Sequence, residues 1–244
     1  MTDAADSQVI IGALSCQPTR ENVVAWCRHG AITPDWFCPE YWGEQAVPVT
    51  AGGRGGAWFI AQGDHQWVLR HYRRGGLMAK LSTSRFLYTG ESRVRSLAEF
   101  KLLRQLHEAG LPVPAPVAAG YQRLGISYRA AILLERLPGV QPFGSLAGQC
   151  DEQVWRAVGQ TIRRFHDAGV YHADLNCFNV LVADPTIYLI DFDKGRLKSP
   201  GAEGWKHRNL QRLKRSLLKL ECFASEALDL DARWGALRGG YEQG

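Results

Sequence analysis

Residues 171–193 constrain this chain more tightly than any other stretch. The run Tyr171-His172-Ala173-Asp174-Leu175-Asn176-Cys177-Phe178-Asn179 is polar and turn-prone, and the apolar run Val180-Leu181-Val182 follows it directly. A second apolar run, Ile187-Tyr188-Leu189-Ile190, ends in Asp191-Phe192-Asp193. Both runs have the length of short strands, and a turn at Asp184-Pro185 parts them. Asp174 and Asn179 stand five apart, and Asp191 lies seventeen beyond Asp174. Taken singly, these residues are ordinary turn formers at strand ends. Joined as H-x-D-x-x-x-x-N, strand, strand and D-F-D, with a helical stretch before them, they form one constellation of two carboxylates and an amide.

The rest of the chain sets the frame. A length of 244 residues favours one domain or two small lobes sharing a cleft. Hydrophobic residues make up 45% and charged residues 22%, a soluble globular balance that argues against wholesale disorder. Apolar runs such as Ala130-Ala131-Ile132-Leu133-Leu134 are far too short to span a bilayer. No N-terminal stretch has the make-up of a secretion signal, so a cytosolic protein is expected. Cys16, Cys27, Cys38, Cys150, Cys177 and Cys222 are scattered with no C-x-x-C pair, which predicts reduced thiols. Residues 1–50 carry Arg20 and Arg28 against Asp3, Asp6, Glu21, Asp35, Glu40 and Glu44, so the net charge of +5 sits wholly in the remainder. A basic body suits an anionic partner: nucleotide, nucleic acid or acidic membrane surface.

Residues 1–48 read as a lead-in packed on the body, with Trp26, Trp36, Phe37, Tyr41 and Trp42 as anchors and Pro34, Pro39 and Pro48 as breakers. A glycine-rich turn at 50–56 precedes strands expected at 57–61 and 66–72. A polar loop leads to a helix carrying Leu97, Phe100, Leu103 and Leu106, which Gly110 ends. Strands follow at 118–122 and 128–134, then a break at Pro138-Gly139 taken as the lobe boundary. Helices are expected at 151–168 and 205–223. Strands with one helix first and helices later predict an α+β architecture: an N-lobe at 49–137 and a mainly helical C-lobe at 138–244.

The block at 171–193 resembles the catalytic and metal-binding segments of the protein-kinase-like superfamily. Phosphoryl transfer needs a carboxylate to orient an attacking hydroxyl and take its proton, and hard oxygen ligands to hold Mg²⁺ against the triphosphate of ATP. The resemblance makes Asp174 the catalytic base, Asn179 and Asp191 the Mg²⁺ ligands, and His172 a structural buttress. It also implies a two-lobed fold, here with a reduced C-terminal lobe. Gly53, Gly55 and Gly56 stand where the glycine-rich phosphate cover belongs, although the pattern departs from G-x-G-x-x-G. Arg70 stands where a phosphate-contacting lysine is expected, with Lys80 as a possible substitute. Glu99 is the helical acidic partner for that cation, or else the closing residue of a capping box begun by Ser96.

The likeness narrows. G-G-R-G-G-A-W-F-I at 52–60, W-V-L-R-H-Y-R-R-G-G at 67–76 and L-P-V-P-A-P at 111–116 are similar to the 3-deoxy-D-manno-octulosonic acid (Kdo) kinases of Gram-negative bacteria. So are H-A-D-L-N-x-x-N at 172–179, I-D-F-D-K-G-R at 190–196 and W-x-x-R-N-L-x-R-L-x-R-S-L at 205–217. Lipopolysaccharide core heptose kinases are next nearest. The resemblance implies ATP- and Mg²⁺-dependent phosphorylation of the 4-hydroxyl of Kdo on a Kdo–lipid A precursor, by a peripheral protein at the cytoplasmic side of the inner membrane. Arg73, Arg74 and Lys80 are then candidates for the acceptor's anionic groups. The helix at 205–223 carries a stripe of Leu210, Leu213, Leu217 and Leu220 and another of Arg208, Arg212, Arg215 and Lys219. That second stripe is either a solvated face or a contact with the anionic membrane. Asn176 replaces the usual lysine of H-R-D-L-K, and no A-P-E follows Asp191, so no protein substrate is expected. A heptose kinase, an aminoglycoside-type phosphotransferase and an inactive pseudokinase are the alternatives; nucleic-acid binding has only the basic charge in its favour, and no nucleic-acid partner is expected.

Overall fold

The computed structural model describes residues 8–10, 23–27, 32–49, 56–73, 84–224 and 229–244. The chain divides into two compact units, Met1–Arg104 with Ala115–Arg136, and Gln105–Pro114 with Leu137–Gly244.

The first unit is built on an antiparallel sheet. Its strands are β1 (Gln8–Ile10), β2 (Val23–Cys27), β3 (Ala46–Pro48), β4 (Ala57–Gln62), β5 (His65–His71), β6 (Phe86–Leu87), β7 (Pro116–Leu124) and β8 (Ser127–Glu135). They run in the order β1-β2-β7-β8-β5-β4-β3, with β6 also on β8. The β4–β5 hairpin closes Gln62 onto His65 around Gly63, whose φ of 55° suits a residue without a Cβ. Pro48 is tolerated because β3 is an edge strand, where a missing N–H breaks no ladder. Strands β1 and β2 were not expected within the lead-in; β2 joins the sheet by pairing along β7 from Val23 on Gln122 to Cys27 on Ala118. Among the aromatic anchors of the lead-in, Phe37 is fully buried and Trp36 stacks on Trp67 with ring centroids 5.3 Å apart. Gly120 must be glycine here, since a Cβ would lie 2.9 Å from the Phe37 ring.

The short helix α1 (Pro39–Trp42) follows that aromatic cluster, and α2 (Arg95–Glu108) covers the sheet with Leu97, Phe100 and Leu103, all buried. The capping box is not formed. The helix already begins at Arg95, so Ser96 lies inside it and donates its hydroxyl to the Gly120 carbonyl at 2.9 Å.

The second unit holds α3 (Phe143–Leu146), α4 (Glu152–Asp167), α5 (Glu203–Leu217), α6 (Glu221–Ala224) and α7 (Leu230–Gln243). Five short strands accompany them: β9 (Gln141–Pro142), β10 (Val170–Tyr171), β11 (Val180–Ala183), β12 (Thr186–Leu189) and β13 (Arg196–Leu197). Helix α4 starts where Asp151 accepts the Val154 N–H at 3.0 Å, and it buries Trp155, Val158, Ile162 and Phe165. Helix α7 had no counterpart in the sequence reading. It packs on α4 almost backbone to backbone: a Cβ on Gly159 would lie 2.0 Å from the Leu237 carbonyl, and one on Gly240 2.1 Å from that of Arg156. The single helix expected at 205–223 is two. Helix α5 tightens into i to i+3 bonds at Lys219 and Leu220, and the chain turns so that Phe223 meets Trp155 edge-on at 6.1 Å. Cys38, Cys150, Cys177 and Cys222 are free thiols, and no helix among the described residues is long and apolar enough to cross a membrane.

Candidate active site

The loop before β11 is shaped by its own side chains. Asn176 Oδ1 accepts the Phe178 and Asn179 backbone N–H groups at 2.9 and 3.2 Å, which closes an Asx turn. The residue that replaces a lysine of protein kinases is therefore spent on the turn. Asn179 donates Nδ2 to the Asp174 carbonyl at 2.9 Å, which leaves its Oδ1, a hard oxygen, as the atom able to face a ligand. Strands β11 and β12 pair Val180 with Leu189, and the Ile190 N–H continues the ladder to the Asn179 carbonyl at 3.0 Å. Asp191 is thus one residue beyond the partner of Asn179. Its φ of 62° is unusual for a residue with a side chain.

His172 ties this group together. It is buried, and its Nδ1 accepts the Asp174 N–H at 3.1 Å. The proton is therefore on Nε2, which donates to the Ile190 carbonyl at 2.9 Å. Burial pushes the imidazole pKa down, so the ring is neutral, and both Asp191 and Asp174 lie within its electrostatic reach. Hydrogen bonds through one ring and one hairpin end hold Asp174, Asn179 and the approach to Asp191 in a single cluster.

Helix α5 grips the same loop from one face. Asn209 donates Nδ2 to the His172 carbonyl at 2.8 Å and accepts the His172 N–H at 3.2 Å. Arg212 binds the Asp174 carboxylate, Nε to Oδ1 at 2.7 Å and Nη2 to Oδ1 at 2.5 Å. The Ser216 hydroxyl accepts the Cys177 N–H at 2.9 Å. Positions 209, 212 and 216 share a face at spacings of three and four. The sequence reading placed Arg212 in a solvated or membrane-facing basic stripe; its side chain is exposed and, beyond that reading, also binds Asp174. The Asn-x-x-Arg-x-x-x-Ser pattern was the available signal, but nothing local links it to a loop more than thirty residues away.

In the first unit, Arg70 of β5 pairs with Glu99 of α2 at 2.5 Å. The Glu99 side chain is wholly buried, and the Tyr72 hydroxyl also donates to it, a partner that the sequence did not reveal. Glu99 is thus an ion-pair residue rather than a cap. Gly56 has a φ of 134°, and a Cβ there would come within 2.8 Å of the Arg73 guanidinium. Gly53, Gly55, Arg74 and Lys80 lie outside the described residues. No group of three or more His, Cys, Asp and Glu side chains suited to a metal occurs among the described residues; the oxygen set of the loop is instead two carboxylates and the Asn179 amide.

Comparison with known proteins agrees with this picture. The model of the lipopolysaccharide kinase (Kdo/WaaP) family matches residues 39–241. The chain is 47% identical over 210 residues to a 3-deoxy-D-manno-octulosonic acid kinase of Xylella fastidiosa (strain M12), covering 84% of each chain. It is 49% identical over 208 residues to the protein of that name from Xanthomonas euvesicatoria pv. vesicatoria (strain 85-10), covering 84% of this chain and 83% of the other. The solved structure of WaaP in complex with acyl carrier protein superposes with a TM-score of 0.56 over 84% of this chain and 81% of that one. At 16% identity this last likeness concerns the fold alone.

Proposed function

The chain belongs to the lipopolysaccharide kinase (Kdo/WaaP) family and is a phosphotransferase acting on a hydroxyl group, with an α+β, protein-kinase-like fold; from that premise we propose that it transfers the γ-phosphate of ATP to the 4-hydroxyl of Kdo on a Kdo–lipid A precursor. The observation that carries the reading is the hydrogen-bonded cluster of His172, Asp174, Asn179 and Ile190, which gathers a base and oxygen donors at one hairpin end.

Asp174 receives the acceptor hydroxyl, orients it and takes its proton as the bond to phosphorus forms. The Asn179 Oδ1 and the Asp191 carboxylate fit Mg²⁺, which favours hard oxygen ligands and would neutralise charge on the phosphates. His172 keeps both flanks of that donor set in register through its two ring nitrogens. In this reading residues 49–137 carry the phosphate cover and 138–244 the base and metal ligands. Arg70, held by Glu99, is the phosphate anchor, and Gly53, Gly55 and Gly56 form the cover. Arg73, Arg74 and Lys80 meet the acceptor's anions, and the basic surface makes a peripheral contact with the anionic inner face of the membrane.

Incubation with ATP, Mg²⁺ and a Kdo-bearing lipid A precursor tests this directly. Mass measurement should find one phosphate added to Kdo. Asp174→Asn should reduce transfer by at least about a hundredfold while the melting curve is unchanged. Phosphate found only on a heptose-bearing acceptor overturns the substrate, and undiminished transfer by Asp174→Asn overturns the role of the base.

A further inference from the structure

We propose that Arg212 is the carboxylate receptor of the acceptor site: it binds the acid group of the sugar whose hydroxyl is held by Asp174, and so distinguishes an acidic sugar from a neutral one. The inference rests on the acidic-sugar acceptor proposed above and names the residue that reads it.

The Arg212–Asp174 pair is poorly explained as a structural bridge. Its side chains are 47% and 48% exposed, and an ion pair so open to water contributes little to stability. Its geometry is better suited to recognition. Both contacts end on one carboxylate oxygen, Oδ1, so Oδ2 is not engaged by the guanidinium. A guanidinium carries five N–H donors, and only two are directed at Asp174; no other hydrogen bond of Arg212 occurs among the described residues. A hydroxyl receptor and a permanently charged, forked carboxylate receptor thus sit one hydrogen bond apart. In a Kdo unit the carboxylate is borne by the ring carbon two bonds from the one bearing the 4-hydroxyl, so one sugar presents both groups to this pair. A heptose offers the hydroxyl and no carboxylate. The pair is also set before substrate arrives, because Asn209 and Ser216 fasten α5 to the loop on either side of Arg212. Little ordering is left for binding to impose.

The test crosses two acceptors with four proteins. The acceptors are the Kdo–lipid A precursor and the same molecule with its Kdo carboxyl converted to the methyl ester. The proteins are the wild type, Arg212→Gln, Arg212→Lys and, as a control one helical turn away, Arg208→Gln. Wild-type kcat/KM should favour the acid by about ten- to hundredfold, the usual worth of a hydrogen bond to a charged group. Arg212→Gln should raise the acceptor KM, leave the ATP KM unchanged and bring the preference to within about threefold. Arg212→Lys should keep part of it, and Arg208→Gln should keep all. A preference that survives Arg212→Gln, with kcat lowered equally on both acceptors, overturns the assignment and reduces Arg212 to a holder of Asp174. Loss of preference in Arg208→Gln assigns the effect to the field of the whole helix and also overturns it. Transfer by the wild type to neither acceptor removes the acceptor reading itself, and this inference with it.

Discussion

Acid should loosen the grip of the helices on the loop at 172–179 through one residue, His166. The ring is buried on α4, with Nδ1 2.8 Å from the Tyr241 hydroxyl of α7 and Trp205 of α5 edge-on at 5.0 Å, and the Asn209 side chain of α5 is near enough to pull its pKa upward. Burial is the main cause that pushes its pKa down to about 4, from 6.5 in the unfolded chain. The native ring therefore stays neutral across a range in which the unfolded chain takes up a proton. Stability is complete above about pH 6.5 and falls as pH drops towards 4, by at most about 1.4 kcal/mol per pH unit. Across the whole interval the loss is about 3 kcal/mol. His166→Gln keeps an amide able to hydrogen-bond and removes the titration. Urea unfolding of both proteins between about pH 7 and pH 4 isolates the effect, because all other groups cancel in the difference. Wild-type stability minus variant stability should decline with acid by about that amount. A difference that stays flat, or an NMR titration placing His166 near its ordinary value, refutes the reasoning. The consequence for activity follows from Asn209, which touches His166 and also clamps the backbone of His172.

Three further outcomes are expected. Glu99→Gln removes a buried charge from Arg70 and should lower stability by about 1–3 kcal/mol and raise the KM for ATP several-fold, read by thermal melting and steady-state kinetics. Unchanged values in both would refute the pairing. Gly240→Ala drives a methyl into the Arg156 carbonyl, 2.1 Å away, so α4 and α7 must part; a loss above about 2 kcal/mol should appear as a fall in Tm. Asp191→Asn should weaken the response to Mg²⁺, with transfer about ten- to hundredfold lower and partly restored at high Mg²⁺; an unaltered Mg²⁺ titration would exclude Asp191 as a ligand.

The loop 172–179 and the two strands after it were legible because their chemistry is local. Turn residues, apolar runs and the spacing of Asp174, Asn179 and Asp191 all fall within about twenty positions, where short-range rules hold. The hairpin around Gly63 was legible for the same reason. Helix α7 was not, since Gly235, Gly239 and Gly240 make it a poor helix by propensity. Gly240 serves contact, not conformation: it lets two backbones meet, and only the folded unit shows that reason, whereas nothing in the structure explains Gly235. The capping reading of Glu99 failed similarly, because the partner it prefers lies 29 positions away on another element.

Composition and pattern, without coordinates, determined the α+β class and the polar loop with its strand pair, while the roles of Asp174, Asn179 and Asp191 came from the resemblance to kinases. Packing alone decided which basic residue of α5 meets Asp174 and which of two roles Glu99 takes. Arg212 was one residue of a basic stripe until α5 lay across the loop, and the Arg70–Glu99 pair implied by the resemblance stood beside a capping role until α2 brought Glu99 against Arg70. The reason is physical: a turn or a strand is stabilised by neighbours in the chain, whereas an ion pair is a matter of distance, and distance is set by the fold.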